Sequence, residues 1–193
     1  MKNRDVSNLG GEMALLYKRR VQAQHSDNAS FFILIAVTLV AVLALRLFII
    51  TPMRVDGSSM LPALEDKERM LVEKVSYWFN EPQRGDIVVC YYPGSEISRV
   101  KRVIGLPGET IEVRGGKVYV NGALLDESSY WNGYIYFDYG PFQVPEGQVF
   151  VMGDNRNDSK DSRNPSVGPI PFNRVAGRAI GVVWPIKKAR MFV

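Results

Sequence analysis

An apolar run from Phe31 to Ile50 divides the chain into a short polar head and a much longer remainder. As a helix, a run of 20 residues would extend about 30 Å, which matches the hydrocarbon core of a bilayer. Arg46 interrupts the run near its end, where a long basic side chain can reach the headgroups at modest cost. The run therefore predicts one transmembrane anchor over residues 31–50.

A cleavable secretory signal is the competing interpretation, because only 15 apolar residues precede Arg46. We favour the anchor because the bulky stretch from Leu47 to Met53 offers no cleavage site flanked by small residues. Basic residues precede the run, so the positive-inside rule predicts a cytoplasmic tail over residues 1–30, with a short helix around Glu12–Arg20. Residues 51–193 are then expected outside the plasma membrane of a single-pass protein.

The remainder has room for one domain of about 140 residues, an ordinary size. The first 50 residues hold six Lys or Arg and three acidic residues, which leaves 18 basic and 17 acidic residues for the rest. This near-neutral balance argues against a nucleic-acid partner. The single cysteine, Cys90, lies in the apolar stretch Ile87–Tyr91 and is expected to be a buried strand residue.

After residue 50 the pattern changes to short segments rich in branched residues and bounded by turn residues, which is typical of β-strands. Asn121-Gly122 between two such segments indicates a type I′ hairpin. Residues 128–142 are rich in aromatic side chains and are expected to form an irregular β excursion. With no long amphipathic helix in this part of the sequence, we predict a mostly β domain.

A serine nucleophile is suggested by Ser58 and Ser59, which lie shortly after the apolar run. A serine hydroxyl is a poor nucleophile at its free pKa and needs an adjacent base. The only histidine, His25, precedes the run and is expected across the membrane. This placement excludes a Ser-His-Asp triad on the outer face, and a lysine is the known alternative base.

Four segments together resemble the motifs of bacterial type I signal peptidases, in the family's order and behind an apolar anchor. They are Gly57–Leu64, Arg84–Val88, Val100–Gly108 and Gly153–Arg163. The resemblance covers roughly residues 31–188, and four motifs in order are far more specific than any one of them. It implies a signal-peptidase-like sheet with a partial barrel and, with a short insertion at about 116–144, the single-span Gram-positive branch of the family.

The resemblance implies that Ser59 is the nucleophile and Lys101 the general base, and only the family's register separates Ser59 from Ser58. Lys101 would need a lowered pKa, which burial among apolar neighbours provides. Arg102 would point away on the opposite face of the strand. Lys101 would take the proton of Ser59, which then forms an acyl-enzyme with the substrate. Backbone N–H groups near Ser59 would stabilise the oxyanion.

The polar run after Gly153 would support this dyad. Ser159 matches a second serine that holds the lysine amine in position, and Asp161 and Arg163 match an ion pair that braces the loop. Asp154 and Arg156 are expected to add hydrogen bonds in the turn. No metal-ligand cluster or phosphate-binding loop is present in the sequence, so we expect no cofactor.

The resemblance also implies shallow substrate pockets for alanine-like side chains, with Met60, Leu64 and Val100 among the lining residues. Three positions depart from the family pattern. Gly57 replaces a serine that some members use in the oxyanion hole, Ala63 replaces a threonine, and Arg99 stands where an aromatic or apolar residue is common.

The sequence therefore predicts a membrane-anchored endopeptidase that removes signal peptides from exported preproteins. A conjugation-type maturation peptidase and a self-cleaving repressor share the Ser-Lys fold, although the anchor and the lack of a helix-turn-helix argue against the repressor. A catalytically silent assembly factor is a further alternative, opposed by the presence of both Ser59 and Lys101.

Three consecutive aromatics, Tyr77-Trp78-Phe79, predict contact with the outer leaflet, and packing of at least one in the core is the competing interpretation.

Overall fold

The computed structural model describes residues 13, 15–16, 30–44 and 49–192, in two compact units, Met1–Arg46 and Leu47–Val193. In the first unit, residues 30–44 form helix α1. Among the described residues, no helix combines the length and apolar character needed to cross a membrane. Most of the predicted cytoplasmic tail, including most of the helix expected around Glu12–Arg20, lies outside the described residues, as does part of the predicted anchor at 45–48.

The second unit is built almost entirely of short β-strands, which confirms the predicted fold class. The strands are β1 (Ile50–Arg54), β2 (Arg69–Glu73), β3 (Ile87–Tyr91), β4 (Ser98–Gly105), β5 (Thr110–Arg114), β6 (Lys117–Val120), β7 (Ala123–Leu124), β8 (Tyr139–Gln143), β9 (Gln148–Met152), β10 (Ile170–Pro171), β11 (Val175–Trp184) and β12 (Arg190–Met191). Within residues 49–192 the helical elements are short: α2 (Ser76–Phe79) and 3-10 turns at Phe172–Arg174 and Ile186–Lys188. Strand β1 begins at Ile50, so the last residue of the apolar run belongs to the sheet.

The larger sheet has the order β1-β2-β11-β3-β4-β9-β10, with β12 also paired to β11. Its neighbouring strands are antiparallel. Strand β11 pairs with β2 on one side and with β3 on the other. The register between β11 and β2 shifts between Ala179 and Gly181 and again between Val182 and Trp184. Such irregularities bend and twist a strand. They curl the sheet, as the expected partial barrel requires.

The smaller sheet has the order β7-β6-β5-β8 and spans residues 110–143, so it begins before the insertion predicted at 116–144. The predicted hairpin turn is present, since Asn121 and Gly122 have φ values of 52° and 80°. Positive φ at both central residues is what a type I′ turn requires. Of the predicted aromatic excursion, only the part from Tyr139 onward forms a strand.

The two sheets pack on each other through one shared apolar cluster. Ile104, Phe150 and Met152 of the larger sheet meet Ile111 and Val113 of the smaller one, all nearly inaccessible to solvent. Gly105 permits this close approach, because a Cβ at that position would lie 2.6 Å from the Ile111 side chain. A second cluster contains Cys90, which is fully buried as predicted. Strand β4 thus runs through the centre of the domain, and it carries the lysine of the candidate site.

Candidate active site

A tight loop after β1 presents Ser59 to Lys101, in the middle of β4. The loop is closed by two backbone hydrogen bonds, from Val55 N–H to Glu68 O and from Lys67 N–H to Val55 O, each 2.8 Å long. Gly57 donates its N–H to Asp66 Oδ1 at 2.9 Å and has a φ of 95°. Only glycine adopts this conformation without strain. The backbone itself therefore explains why glycine, and not serine, stands two residues before Ser59.

Ser59 and Lys101 are in direct contact. Lys101 Nζ lies 2.7 Å from Ser59 Oγ and 2.9 Å from Val100 O. The lysine is 2% exposed, whereas Ser59 is half-buried in the wall of a cleft. This is the distance and the burial that proton transfer between a nucleophile and its base requires.

The surroundings of Lys101 lower the pKa of its amine. Burial lowers the pKa of Lys101 from its ordinary value of 10.5, and the nearby Arg99 cation lowers this pKa further. Asp161 and Asp154 oppose the shift by favouring the charged amine. The net direction is downward, because the loss of hydration outweighs the two carboxylates.

The neighbouring hydroxyl of Ser58 is engaged elsewhere. Ser58 Oγ donates to Asp158 Oδ2 at 2.8 Å. Asn155 joins the two loops, since its backbone N–H donates to Ser59 O at 3.1 Å and its side chain donates to Ser58 O at 3.2 Å. The structure therefore separates the two serines by contact, where the sequence could do so only through the register of a motif.

Ser159 lies close to the dyad without bonding to the lysine. Its Oγ is buried and has no hydrogen-bond partner within the described part of the chain, so the predicted bond to the Lys101 amine is not made here. A Cβ added to Gly153 would lie 2.2 Å from Ser159 Oγ and 2.4 Å from Ser59 O. Gly153 thus allows the polar loop to approach the nucleophile's backbone closely.

The other predicted supporting residues form a buried brace. Arg163 donates from Nε to Asp161 Oδ1 and from Nη2 to Asp161 Oδ2, each at 2.8 Å. Asp161 Oδ2 also accepts the Gly153 N–H at 3.0 Å. Arg163 reaches further, to Arg156 O at 2.6 Å. Together these contacts fix the loop that carries Ser159.

Sequence reasoning missed a second set of buried ion pairs. Arg102 does lie on the opposite face from the dyad, but it is buried and donates to both oxygens of Asp154, at 2.8 and 2.7 Å. Arg156 is held by Glu127 as well as by the expected turn, with Nη1 donating to Glu127 Oε2 at 3.0 Å. No local motif indicates Glu127. The general requirement that a buried arginine has a buried acid is the only signal that could have led to it.

The cleft beside the dyad has a volume of about 140 Å³. Two of the three residues predicted to line a substrate pocket, Met60 and Val100, are among the residues that line this cleft. Leu64 is not. It is fully buried and packs in the same apolar cluster as Met60, so it supports the cleft from behind.

Comparison with known proteins assigns the chain to a family. Residues 28–184 match the family described as "Signal peptidase, peptidase S26". The chain belongs to this signal peptidase family. A signal peptidase I from Leptolyngbya laminosa is 40% identical over 163 residues, which cover 80% of this chain and 78% of the relative. Signal peptidase I S from Bacillus subtilis (strain 168) is 39% identical over 166 residues, covering 81% and 89%.

A crystal structure of a signal peptidase I from Enterococcus faecalis V583 aligns with a TM-score of 0.43 and 35% identity, over 51% of this chain and 97% of that chain. Family membership rests on the sequence matches. It confirms the resemblance to type I signal peptidases that four short motifs had indicated, and with it the prediction that the chain is a peptidase.

Proposed function

We propose that the chain is a membrane-anchored serine endopeptidase that cleaves signal peptides from exported preproteins through a dyad of Ser59 and Lys101. The observation that carries this proposal is the 2.7 Å contact between Lys101 Nζ and Ser59 Oγ, made by a lysine that is 2% exposed. Family membership supports the reaction class, and the substrate class follows from the name shared by the relatives.

In the proposed acylation step, the neutral Lys101 amine accepts the proton of Ser59 as Oγ attacks the scissile carbonyl carbon. The carbonyl oxygen becomes an oxyanion. Within residues 49–192 the backbone N–H of Ser59 donates no hydrogen bond, so it is available to stabilise that charge. The lysine ammonium then gives its proton to the departing amine, and the substrate's carbonyl carbon stays bonded to Ser59 as an ester.

Deacylation reverses the roles. Lys101, neutral again, accepts a proton from water while the water oxygen attacks the ester carbon. The serine oxygen leaves and takes the proton back from the lysine. No other proton carrier is required, because the same amine serves as base and acid in both halves of the reaction.

We assign supporting roles to Ser159, Asp161 and Arg163. The Asp161–Arg163 pair holds the loop through Gly153 N–H, which sets the position of Ser159 behind the dyad. The unpartnered Ser159 Oγ is then available to hold the lysine amine when that amine turns away from Ser59 during the reaction.

The size of the cleft supports specificity for small side chains near the cut. At about 140 Å³ it is well below the several hundred Å³ usual for sites that enclose a drug-sized ligand. Met60 and Val100 narrow it, with Leu64 packed behind Met60. We therefore propose that alanine-like residues are preferred one and three positions before the cut, and that bulky residues there are rejected.

For the membrane arrangement we propose a cytoplasmic tail over residues 1–30, an anchor over 31–50 and a catalytic domain over 51–193 outside the plasma membrane. The apolar composition of residues 31–50 and the helix at 30–44 support the anchor. Trp78 and Phe79, which are 59% and 80% exposed, are proposed to contact the lipid surface. Tyr77 is instead partly buried and donates to Asp86 at 2.8 Å.

The decisive experiment measures cleavage of a preprotein by the full chain in detergent micelles. Ser59→Ala should abolish cleavage, whereas Ser58→Ala should retain most of it, because the Ser58 hydroxyl is bonded to Asp158 and not to the lysine. The two substitutions are at adjacent serines, so each variant controls for an effect of the other on folding. Equal loss of activity in both, with both folded, would disprove the assignment of Ser59.

A further inference from the structure

Arg99 is a charged residue of the catalytic cleft that has no partner in the described part of the chain. Four charged or basic side chains line this cleft, those of Arg54, Asp56, Arg99 and Lys101. Arg54 Nε lies 3.8 Å from Asp56 Oδ1, so these two charges largely cancel. The guanidinium of Arg99 makes no hydrogen bond or ion pair within residues 49–192, and the residue is exposed.

The fold fixes Arg99 on the catalytic side of β4. It stands two residues before Lys101 on this strand, so the two side chains share one face of the sheet. Opposite Arg99 on β3 is Cys90, whose pKa burial raises to about 12, so its thiol is neutral at physiological pH. The neighbouring strand therefore supplies no charge that could neutralise Arg99.

Lys101 does not supply a second positive charge in the state that reacts. Its amine must be neutral when it accepts the proton of Ser59, and burial favours that form. With Arg54 paired to Asp56, the cleft carries one uncompensated positive charge, and Arg99 holds it.

We propose that Arg99 is a specificity-determining residue, which binds an acidic side chain of the substrate segment in the cleft. Substrates with Asp or Glu within a few residues of the cut are then cleaved faster than their neutral counterparts. This inference rests on the proposed function, because it requires the substrate to lie beside Ser59.

The chemistry of both partners suits this role. A guanidinium presents its N–H groups as a planar fork that matches the two oxygens of a carboxylate. A cleft of about 140 Å³ leaves room for small side chains only, so an acidic side chain must sit at its exposed rim, where Arg99 lies. Since that rim is wet, the expected preference is modest, about three- to tenfold in kcat/KM, as for a partly exposed ion pair strengthened by direct hydrogen bonds.

The test uses the full chain in detergent and one fluorogenic peptide that spans a cut after an Ala-x-Ala sequence. Each remaining position, from four before the cut to two after it, is replaced in turn by Glu, Gln and Lys. Wild type should prefer Glu to Gln, and Gln to Lys, at one position at least. Arg99→Gln should remove this order, and Arg99→Glu should reverse it in favour of Lys.

Arg54→Gln combined with Asp56→Asn is the matched control, because it removes both members of the mutually cancelling pair in the same cleft and leaves the net charge of the cleft unchanged. It should keep the wild-type order. The inference is overturned if wild type cleaves the Glu, Gln and Lys peptides equally at every position, or if the preference persists in Arg99→Gln. Failure of the proposed function gives a different result, in which no peptide is cleaved or Ser59→Ala cleaves as wild type does.

Discussion

At the scale of single residues, the central feature is a lysine that the fold both buries and places against a serine. Burial disfavours the charged form of Lys101, although the carboxylates of Asp161 and Asp154 favour this form. An amine in this position can be a base at a pH where an exposed lysine is fully protonated. Two consequences can be measured separately, one in the rate of cleavage and one in the stability of the fold.

The rate of cleavage should rise with pH as Lys101 loses its proton, with a midpoint below the ordinary value of 10.5. Lys101→Arg keeps the positive charge but cannot lose it at working pH, so the variant should be as inactive as Lys101→Ala. The measurement is kcat/KM against pH for a preprotein or peptide, with circular dichroism to verify folding. Substantial activity in the arginine variant would contradict the role of general base.

The stability of the domain should also depend on pH through this residue. Because the folded-state pKa is lowered, the unfolded chain binds more protons between that pKa and 10.5, so stability rises with pH across this window. Lys101→Met removes the group and should raise the melting temperature most at pH 7, with the gain shrinking as the pH approaches 10.5. Lys117→Met, at an exposed strand position, is the control for the replacement of a lysine by methionine as such. A constant difference between Lys101→Met and wild type at all pH values would refute the linkage.

At the scale of elements, two buried ion pairs tie together β4, the loop after β9 and the segment before β8. The pair of Arg102 and Asp154 joins β4 to the loop after β9. The pair of Arg156 and Glu127 joins this loop to the segment before β8. The guanidinium of Arg102 also lies 4.1 Å from the centre of the Tyr130 ring. The dyad is therefore supported from behind by charges that only the folded chain brings together.

Breaking the deeper of these pairs should cost more than breaking an exposed one. Glu127→Gln leaves the Arg156 side chain, which is 0% exposed, without its counter-charge, and should cost about 3 kcal/mol of unfolding free energy or more. Glu112→Gln is the matched control, because its partner Arg114 is 53% exposed and 3.7 Å away, and it should cost less than about 1 kcal/mol. Denaturant unfolding of both variants measures the difference. Equal costs would show that the buried pair is not a structural brace.

The sequence predicted elements that depend on local pattern and missed contacts that depend on distant residues. Segments rich in branched residues and bounded by turn residues identified the strands, and Asn121-Gly122 identified a hairpin, because both signals lie within a few residues. The pairing of Glu127 with Arg156 spans 29 positions and has no local signature. Ser159 and Leu64 show the same limit at the site. The resemblance to the family's motifs predicted that both residues lie near the dyad. It could not show that the Ser159 hydroxyl has no hydrogen-bond partner among the described residues, or that Leu64 lies behind Met60.

At the scale of the whole molecule, the exposed aromatics Trp78 and Phe79 lie at the end of the larger sheet where β1 begins. Lys74 N–H donates to Ile49 O at 3.1 Å, which places the start of α2 beside the first residues of the domain. Tyr77, Trp78 and Phe79 belong to the short helix α2. Tyr77 packs against the core and donates a hydrogen bond to Asp86. These contacts fix α2, while the side chains of Trp78 and Phe79 are exposed to solvent.

This arrangement predicts that the domain binds lipid without its anchor. A protein that begins at Leu47, where the second compact unit starts, should bind vesicles of phosphatidylcholine and phosphatidylglycerol and should cleave peptides faster in their presence. Trp78→Ala combined with Phe79→Ser should weaken vesicle binding about tenfold or more, since full burial of one Phe side chain contributes about 1.5–3 kcal/mol and about 1.4 kcal/mol is a factor of ten. Tyr136→Ala with Phe137→Ser is the matched control, because these residues are 70% and 78% exposed on another part of the domain. If vesicles neither bind nor activate the shortened wild type, or if both double variants lose binding equally, α2 does not hold the dyad at the membrane surface.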